Sequence, residues 1–254
     1  MPLLFALVHW GEPLHFFLLL SVVIVLAVRE LCALAEKQGI RPQRWIGAGG
    51  AVLLASSFLT GGPAAGVVLT LIVIATLLCA LFSKQEFSGV LASVSVTLFG
   101  VAGVGLLLGY QAGLRSVEGV GGDLLLFLLW VVWAGDAAAY FVGCRLGRHP
   151  LCARISPGKT MEGGIAGLAA SVAAAGAGKI WLLPSLSWPE AAALGGGLAL
   201  CALAGDLCES LLKRGSQVKD SANLLPGHGG MLDRTDSLLF SAPLLYHYWS
   251  GFHP

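Results

Sequence analysis

Residues 14–33 read LHFFLLLSVVIVLAVRELCA. No Asp, Glu, Lys or Arg occurs from Pro13 to Val28, and the run is long enough to cross the ~30 Å hydrocarbon core of a bilayer as a helix. Taken alone it could be a secretory leader. Comparable apolar runs follow at 46–60, 65–83, 88–109, 122–144, 163–181, 191–212 and 232–250, so it is read as a membrane anchor instead. The second run is short and glycine-rich, and Pro243 is expected to kink the last. The expected fold is all-α: a polytopic integral membrane protein of about eight transmembrane helices, with a range of seven to nine.

Composition agrees. The chain is 56% hydrophobic with mean hydropathy +0.82, and only 11% charged where soluble domains carry about 25%. A net charge of +1 says nothing about nucleic acid, there is no basic tail, and no nucleic-acid partner is expected. The 35 glycines are read mainly as helix-packing positions, because small residues let membrane helices approach closely. The six cysteines show no metal-type spacing and are read as reduced packing residues.

Placing the N-terminus outside puts 13 of the 15 Lys and Arg residues in cytosolic segments, leaving Arg115 and Lys179 on the other side. Both termini are then outside. The two large polar stretches, 144–163 and 206–236, are both cytosolic loops, so the active site is expected at the cytoplasmic face. The chain divides into N-terminal helices, 1–110, and a C-terminal catalytic region, 111–254. If the source is bacterial, the membrane is the inner one.

Residues 205–237, GDLCESLLKRGSQVKDSANLLPGHGGMLDRTDS, concentrate the charge of this otherwise apolar chain. Asp206 and Glu209 are three apart at the end of the seventh run, with Ser210 and Lys213 continuing the same helical face. Asp233 and Asp236 are again three apart at the start of the eighth. Gly229-Gly230 permits a tight reversal that would face one acid pair toward the other. Converging carboxylates need counter-charge. Mg²⁺ can supply it through hard oxygen ligands and substrate phosphates, or the neighbouring Lys and Arg can supply it alone. Lys213, Arg214, Lys219 and Arg234 fit either a triphosphate clamp or topological anchoring. His228, in Pro-Gly-His-Gly-Gly, is read as a phosphate donor or turn residue rather than a base, since a phosphate nucleophile is already deprotonated.

Asp136 lies inside the fifth run, where an acid is a functional candidate; the alternative is a hydrogen-bonded structural Asp. Gly158-Lys159-Thr160 looks superficially like a P-loop, but position 153 is Ala where that motif needs Gly. The segment from Ser156 through Lys159 and Thr160 to Glu162 remains a candidate nucleotide-contacting loop, with Thr160 capping the next helix.

From Ser210 through Lys213-Arg214, Lys219-Asp220, Pro226-Gly-His228-Gly229-Gly230 to Asp233-Arg234-Thr-Asp236, these 27 residues resemble the signature of the phosphatidate cytidylyltransferases, the CDP-diacylglycerol synthases. Asp136…Tyr140…Gly143 and Ser156-Pro157…Lys159-Thr160…Glu162-Gly163 resemble the family's middle region. Gly158 departs from it, standing where many members carry lysine.

The resemblance implies a membrane enzyme that transfers the cytidylyl group of CTP to phosphatidic acid, with Mg²⁺ required, a second cation as a further candidate, and a homodimeric assembly. It assigns metal binding to Asp206 and Asp233, with Asp136 and Glu209 as further candidates. Catalytic roles fall to Lys213, Arg214, Lys219, Asp220, His228, Arg234 and Asp236. Substrate contacts fall to Ser156, Lys159, Thr160, Glu162 and Ser210. The competing classes are a CTP-dependent polyprenol kinase, a cytidylyltransferase for another lipid, and an ion-coupled transporter. A transporter would need acids facing both sides, and here they gather on one. The acidic motif of a CDP-alcohol phosphotransferase is absent, and an inactive scaffold would not need so complete a signature.

Overall fold

A computed structural model of the chain describes residues 2–60, 64–217 and 230–253. Ten α-helices follow one another among them: α1 (Pro2–Trp10), α2 (Pro13–Glu36), α3 (Arg44–Ser56), α4 (Ala65–Leu81), α5 (Phe87–Phe99), α6 (Leu107–Arg115), α7 (Gly121–Leu146), α8 (Met161–Trp181), α9 (Trp188–Gly215) and α10 (Leu232–Phe252). A π-helical segment, Gly100–Leu106, joins α5 to α6, so that Phe87–Arg115 is one continuous helix packed along α3. That helix passes through position 110, where the sequence suggested a division. Lys219, Asp220 and His228 lie outside the described residues.

Each of the eight apolar runs coincides with a helix, but they are not equivalent. Among the described residues, five helices are long and apolar enough to cross a membrane: Pro13–Glu36, Phe87–Arg115, Gly121–Leu146, Met161–Trp181 and Trp188–Gly215. α4 is apolar but has only 17 residues, and α3 has 13 before a 3₁₀ turn at Ser57–Thr60. α10 is 21 residues long yet more polar, because its first two turns carry Asp233, Arg234, Asp236 and Ser237. It continues through Pro243 as one helix. The short α1 was not expected.

The helices turn apolar side chains both ways. On α2, Phe17, Leu20, Ile24, Val28 and Leu31 face the protein, while Leu14, Leu18 and Val22 form an exposed stripe at four-residue spacing. α4 exposes Val67, Leu71, Ile74, Leu78 and Leu81 in the same manner. Water would penalise such stripes, and lipid tails solvate them. The protein is therefore an integral membrane protein.

The first half of α7 forms the centre of the core, with Leu124, Leu125, Phe127, Leu128 and Val131 fully buried. α7 and α8 then cross through small residues. A Cβ on Gly163 would lie 2.7 Å from the Ala139 carbonyl oxygen, and one on Gly167 would lie 3.1 Å from that of Gly135. Glycine at this i, i+4 pair lets the two backbones touch. Ser171 Oγ donates to the Val131 carbonyl at 3.1 Å, and Trp130 Nε1 to that of Ala174 at 3.0 Å, tying the same pair.

Between α7 and α8 the chain forms a small antiparallel hairpin, β1 (Pro150–Cys152) and β2 (Ser156–Thr160). It qualifies the all-α expectation without altering the helical architecture.

Candidate active site

The C-terminal half of α7, the start of α8, the end of α9 and the start of α10 meet around one cavity of about 600 Å³. That size falls in the ~300–1,000 Å³ range usual for ligand sites. Asp136 enters from α7, Asp206 from α9, and Asp233 and Asp236 from α10. Lys159 and Thr160 enter from β2. Apolar residues complete the wall, chiefly Ile165 and Leu168 of α8 and Leu200 and Leu203 of α9.

Local chemistry places each of these groups. Thr160 is the N-cap of α8, its Oγ1 accepting from the Gly163 amide at 3.2 Å, as the sequence led us to expect. The hairpin ladder closes with the Met161 amide donating to the His149 carbonyl at 2.8 Å. Glu162 accepts from the Arg148 and His149 amides and lies 2.6 Å from His149 Nδ1. It thus ties the turn after α7 to the start of α8 rather than lining the cavity. Arg214 Nε donates to the Ile155 carbonyl at 3.1 Å, holding the hairpin turn against the end of α9.

Those contacts set Lys159 beside Asp206, at 2.5 Å. The Lys159 ammonium is buried and makes no directed hydrogen bond, because the pair has ion-pair distance without hydrogen-bond alignment. Lys159 thus stands at the cavity as a cation paired with Asp206.

The acidic ends of α9 and α10 do come together. Asp206 and Asp236 interact directly, and Asp136 faces Ser237. Lys213 pairs with Glu209 of its own helix at 2.6 Å and with Asp233 of α10. Asp233 Oδ2 also accepts from the Gly230 amide at 2.8 Å. Lys213 and Arg214, expected as phosphate clamps, are thus engaged with protein groups. Ser156, Glu162, Glu209, Ser210, Lys213, Arg214 and Arg234 stand outside the cavity wall.

Glu30 did not stand out in the sequence, yet it belongs to this assembly. It is only 2% exposed, and its two carboxylate oxygens accept from the Met231 and Leu232 amides at 2.7 and 2.8 Å. Its signal was an acid near the end of an apolar run, the same signal that singled out Asp136.

Among the described residues, no three His, Cys, Asp or Glu side chains are grouped tightly enough to hold a metal as they stand. The donor chemistry nevertheless fits a hard divalent cation. Among the described residues, four carboxylates line the cavity, Asp206 paired with Lys159 and Asp233 with Lys213, while Asp206 and Asp236 face each other. Such crowding calls for positive charge, and oxygen-only donors suit Mg²⁺.

The profile of the cytidylyltransferase family matches residues 1–252. Over 118 residues the chain is 48% identical to the phosphatidate cytidylyltransferase of Synechocystis sp. (strain ATCC 27184 / PCC 6803 / Kazusa), covering 46% of this chain and 40% of that one. It is 38% identical to the phosphatidate cytidylyltransferase of Bacillus subtilis (strain 168) over 143 residues, covering 56% and 53%. It is 37% identical to that of Staphylococcus aureus (strain COL) over 171 residues, covering 64% and 61%. The chain thus spans about half the length of the curated relatives it matches. Because the family profile extends over nearly every residue, from the first apolar helix to the end of α10, the chain belongs to the cytidylyltransferase family.

Proposed function

We propose that the protein transfers the cytidylyl group of CTP to phosphatidic acid, forming CDP-diacylglycerol and pyrophosphate. The observation that carries this reading is a single cavity with an acid-and-lysine floor and an apolar wall between membrane helices. A nucleotide phosphate and a lipid headgroup are chemically opposite to a lipid's acyl chains, and this cavity offers surface to both. The names of the relatives supply the substrate class.

In the reaction a phosphate oxygen of the lipid attacks the α-phosphorus of CTP. A new P–O bond forms, the bond from the α-phosphorus to the bridging oxygen breaks, and pyrophosphate leaves with the electron pair. No proton need be removed from the nucleophile, so the protein mainly positions reactants and balances charge. Lys159 reaches the triphosphate. The α8 N-terminus, capped by Thr160, turns amide groups toward the same oxygens. Asp206 and Asp233 would hold Mg²⁺, with Asp136, Glu209 and Asp236 as further carboxylates around it. Bound there, Mg²⁺, with a second cation as a further candidate, would supply charge neutralisation for the leaving pyrophosphate. Lys213 fixes the orientation of Asp233. Lys219, His228 and Arg234 would add phosphate contacts, and Asp220 would orient those cations or add a metal contact. Ser156, Glu162, Ser210 and Arg214 support them from behind the wall.

The arrangement belongs at the cytoplasmic face, where CTP is available, with both termini outside, eight spans, and two copies forming a homodimer. In a bacterium this is the inner membrane. Purified protein in detergent, supplied with CTP, phosphatidic acid and Mg²⁺, should yield CDP-diacylglycerol and pyrophosphate in equal amounts. The absence of product over a range of acyl chains and divalent metals would defeat the proposal.

A further inference from the structure

Glu30 sits near the cytosolic end of α2, two hundred residues before the helix it touches. Its neighbours on α2, Ala27, Val28, Leu31 and Leu34, are all buried, as is Glu30 itself. A carboxylate in such a place is costly unless it is hydrogen-bonded. α10 has no side-chain cap of its own, and its first N–H groups need acceptors. Glu30 meets both needs, each oxygen taking one of two consecutive amides. Its negative charge also opposes the positive end of the helix dipole.

The amide just before those two, on Gly230, is taken by Asp233 Oδ2. Three successive N–H groups are thus shared between two carboxylates. If Glu30 did not take Met231 and Leu232, their unsatisfied donors would compete for Asp233. Asp233, whose Oδ2 already takes the Gly230 amide, would be drawn further onto its own backbone, and the contact of its Oδ1 with Lys213 would weaken. A second contact strengthens the frame: Gln38, two turns further along the chain, donates to the Gly215 carbonyl at 3.2 Å and to Ser216 Oγ at 3.0 Å. α2 and the turn that follows it therefore hold the start of α10 and the end of α9 at once.

We infer that Glu30 is a positioning residue for the reaction, acting through Asp233 by sparing it the Met231 and Leu232 amides. The catalytic side of this inference rests on the proposed function. Two variants test it, Glu30→Gln, which offers one acceptor and one donor to two N–H groups, and Glu30→Asp, which keeps the charge but is one methylene short. Ser241→Ala serves as the comparison, since Ser241 Oγ links α10 to the Leu198 carbonyl at 3.2 Å away from the cavity.

In either Glu30 variant kcat should fall about 10- to 100-fold, the size seen when a group supporting a metal ligand is lost. The KM values for CTP and lipid should stay within about threefold, since the bound substrates' own contacts remain. Backbone amide exchange of residues 230–236 should accelerate in both variants and not in Ser241→Ala. If Glu30→Gln does not fold, the same pattern in Glu30→Asp decides. Unchanged kcat, a fall matched by Ser241→Ala, or unchanged exchange at 230–236 would each overturn the inference. Wild-type protein that makes no product would instead refute the proposed function, and the exchange measurement would still report on Glu30.

Discussion

Gly205→Ala is the substitution to which the α9–α10 crossing is most sensitive. A Cβ built on Gly205 falls against the carbonyl oxygen of Asp236, with the Asp236 carbonyl carbon and Phe240 Cδ2 each 3.2 Å away. The obstacle is backbone, so no rotamer change relieves it. A carbon settles about 3.3–3.6 Å from a carbonyl oxygen, so the two helices must part by about 1 Å. Forced repacking of this kind costs about 1–3 kcal/mol of stability. The larger effect is on chemistry. Gly205 precedes Asp206, and Asp206 and Asp236 face each other across this crossing. A displacement of about 1 Å among reacting groups can cost about 100-fold in rate. We therefore expect kcat per folded molecule to fall about 100-fold, with a lower melting temperature in detergent. The assay is CDP-lipid formation from labelled CTP, normalised to folded protein by size-exclusion chromatography. Gly49→Ala is the control: a Cβ there meets nothing within 4 Å, in the interior of α3. It should stabilise by about 0.5–1 kcal/mol and leave turnover intact. Turnover of Gly205→Ala within about threefold of wild type would refute the claim that the crossing sets the spacing of the acids.

Other perturbations separate the parts of the site. Asp233→Asn keeps an acceptor for the Gly230 amide but removes the charge, so turnover should drop by more than about 100-fold while the melting temperature changes little. Comparable activity in that variant would remove Asp233 from the metal site. Thr160→Val deletes the cap on the Gly163 amide and should cost about 1 kcal/mol in melting experiments. It should also raise the KM for CTP, because Lys159 hangs from the same strand end. Single cysteines at 115 and 215, in a cysteine-free background, should react with an impermeant reagent from opposite sides of sealed vesicles. Labelling from one side only would overturn the membrane orientation.

The apolar runs made the helices legible because bilayer-spanning length and the absence of charge are local properties. Their rank was less legible. α10 has the length of a span, but the acids of its first turns reduce its hydropathy, and α3 ends in a 3₁₀ turn after 13 residues. The β1–β2 hairpin was hidden because its strands are short, half-exposed and lack alternation; it exists through its pairing and the Glu162 tie.

At the site, three-residue spacing revealed that Asp206 with Glu209 and Asp233 with Asp236 share helix faces. Which cation meets which acid was not readable. Lys159 reaching Asp206, and Lys213 bridging Glu209 to Asp233, are products of tertiary packing between segments distant in the chain. Glu30 is the extreme case, a cap contributed from two hundred residues upstream. Thr160 was readable because an N-cap is a local motif.

The central claim is that the cavity joins a lipid phosphate to the α-phosphorus of CTP. CTP labelled with radioactive phosphorus at the α position, and separately at the γ position, tests it in one incubation with phosphatidic acid and Mg²⁺. Transfer of the α label into lipid, with the γ label recovered only as pyrophosphate, is the predicted result. Appearance of the γ label in lipid would mark a kinase instead, and label in neither lipid pool would contradict the account altogether.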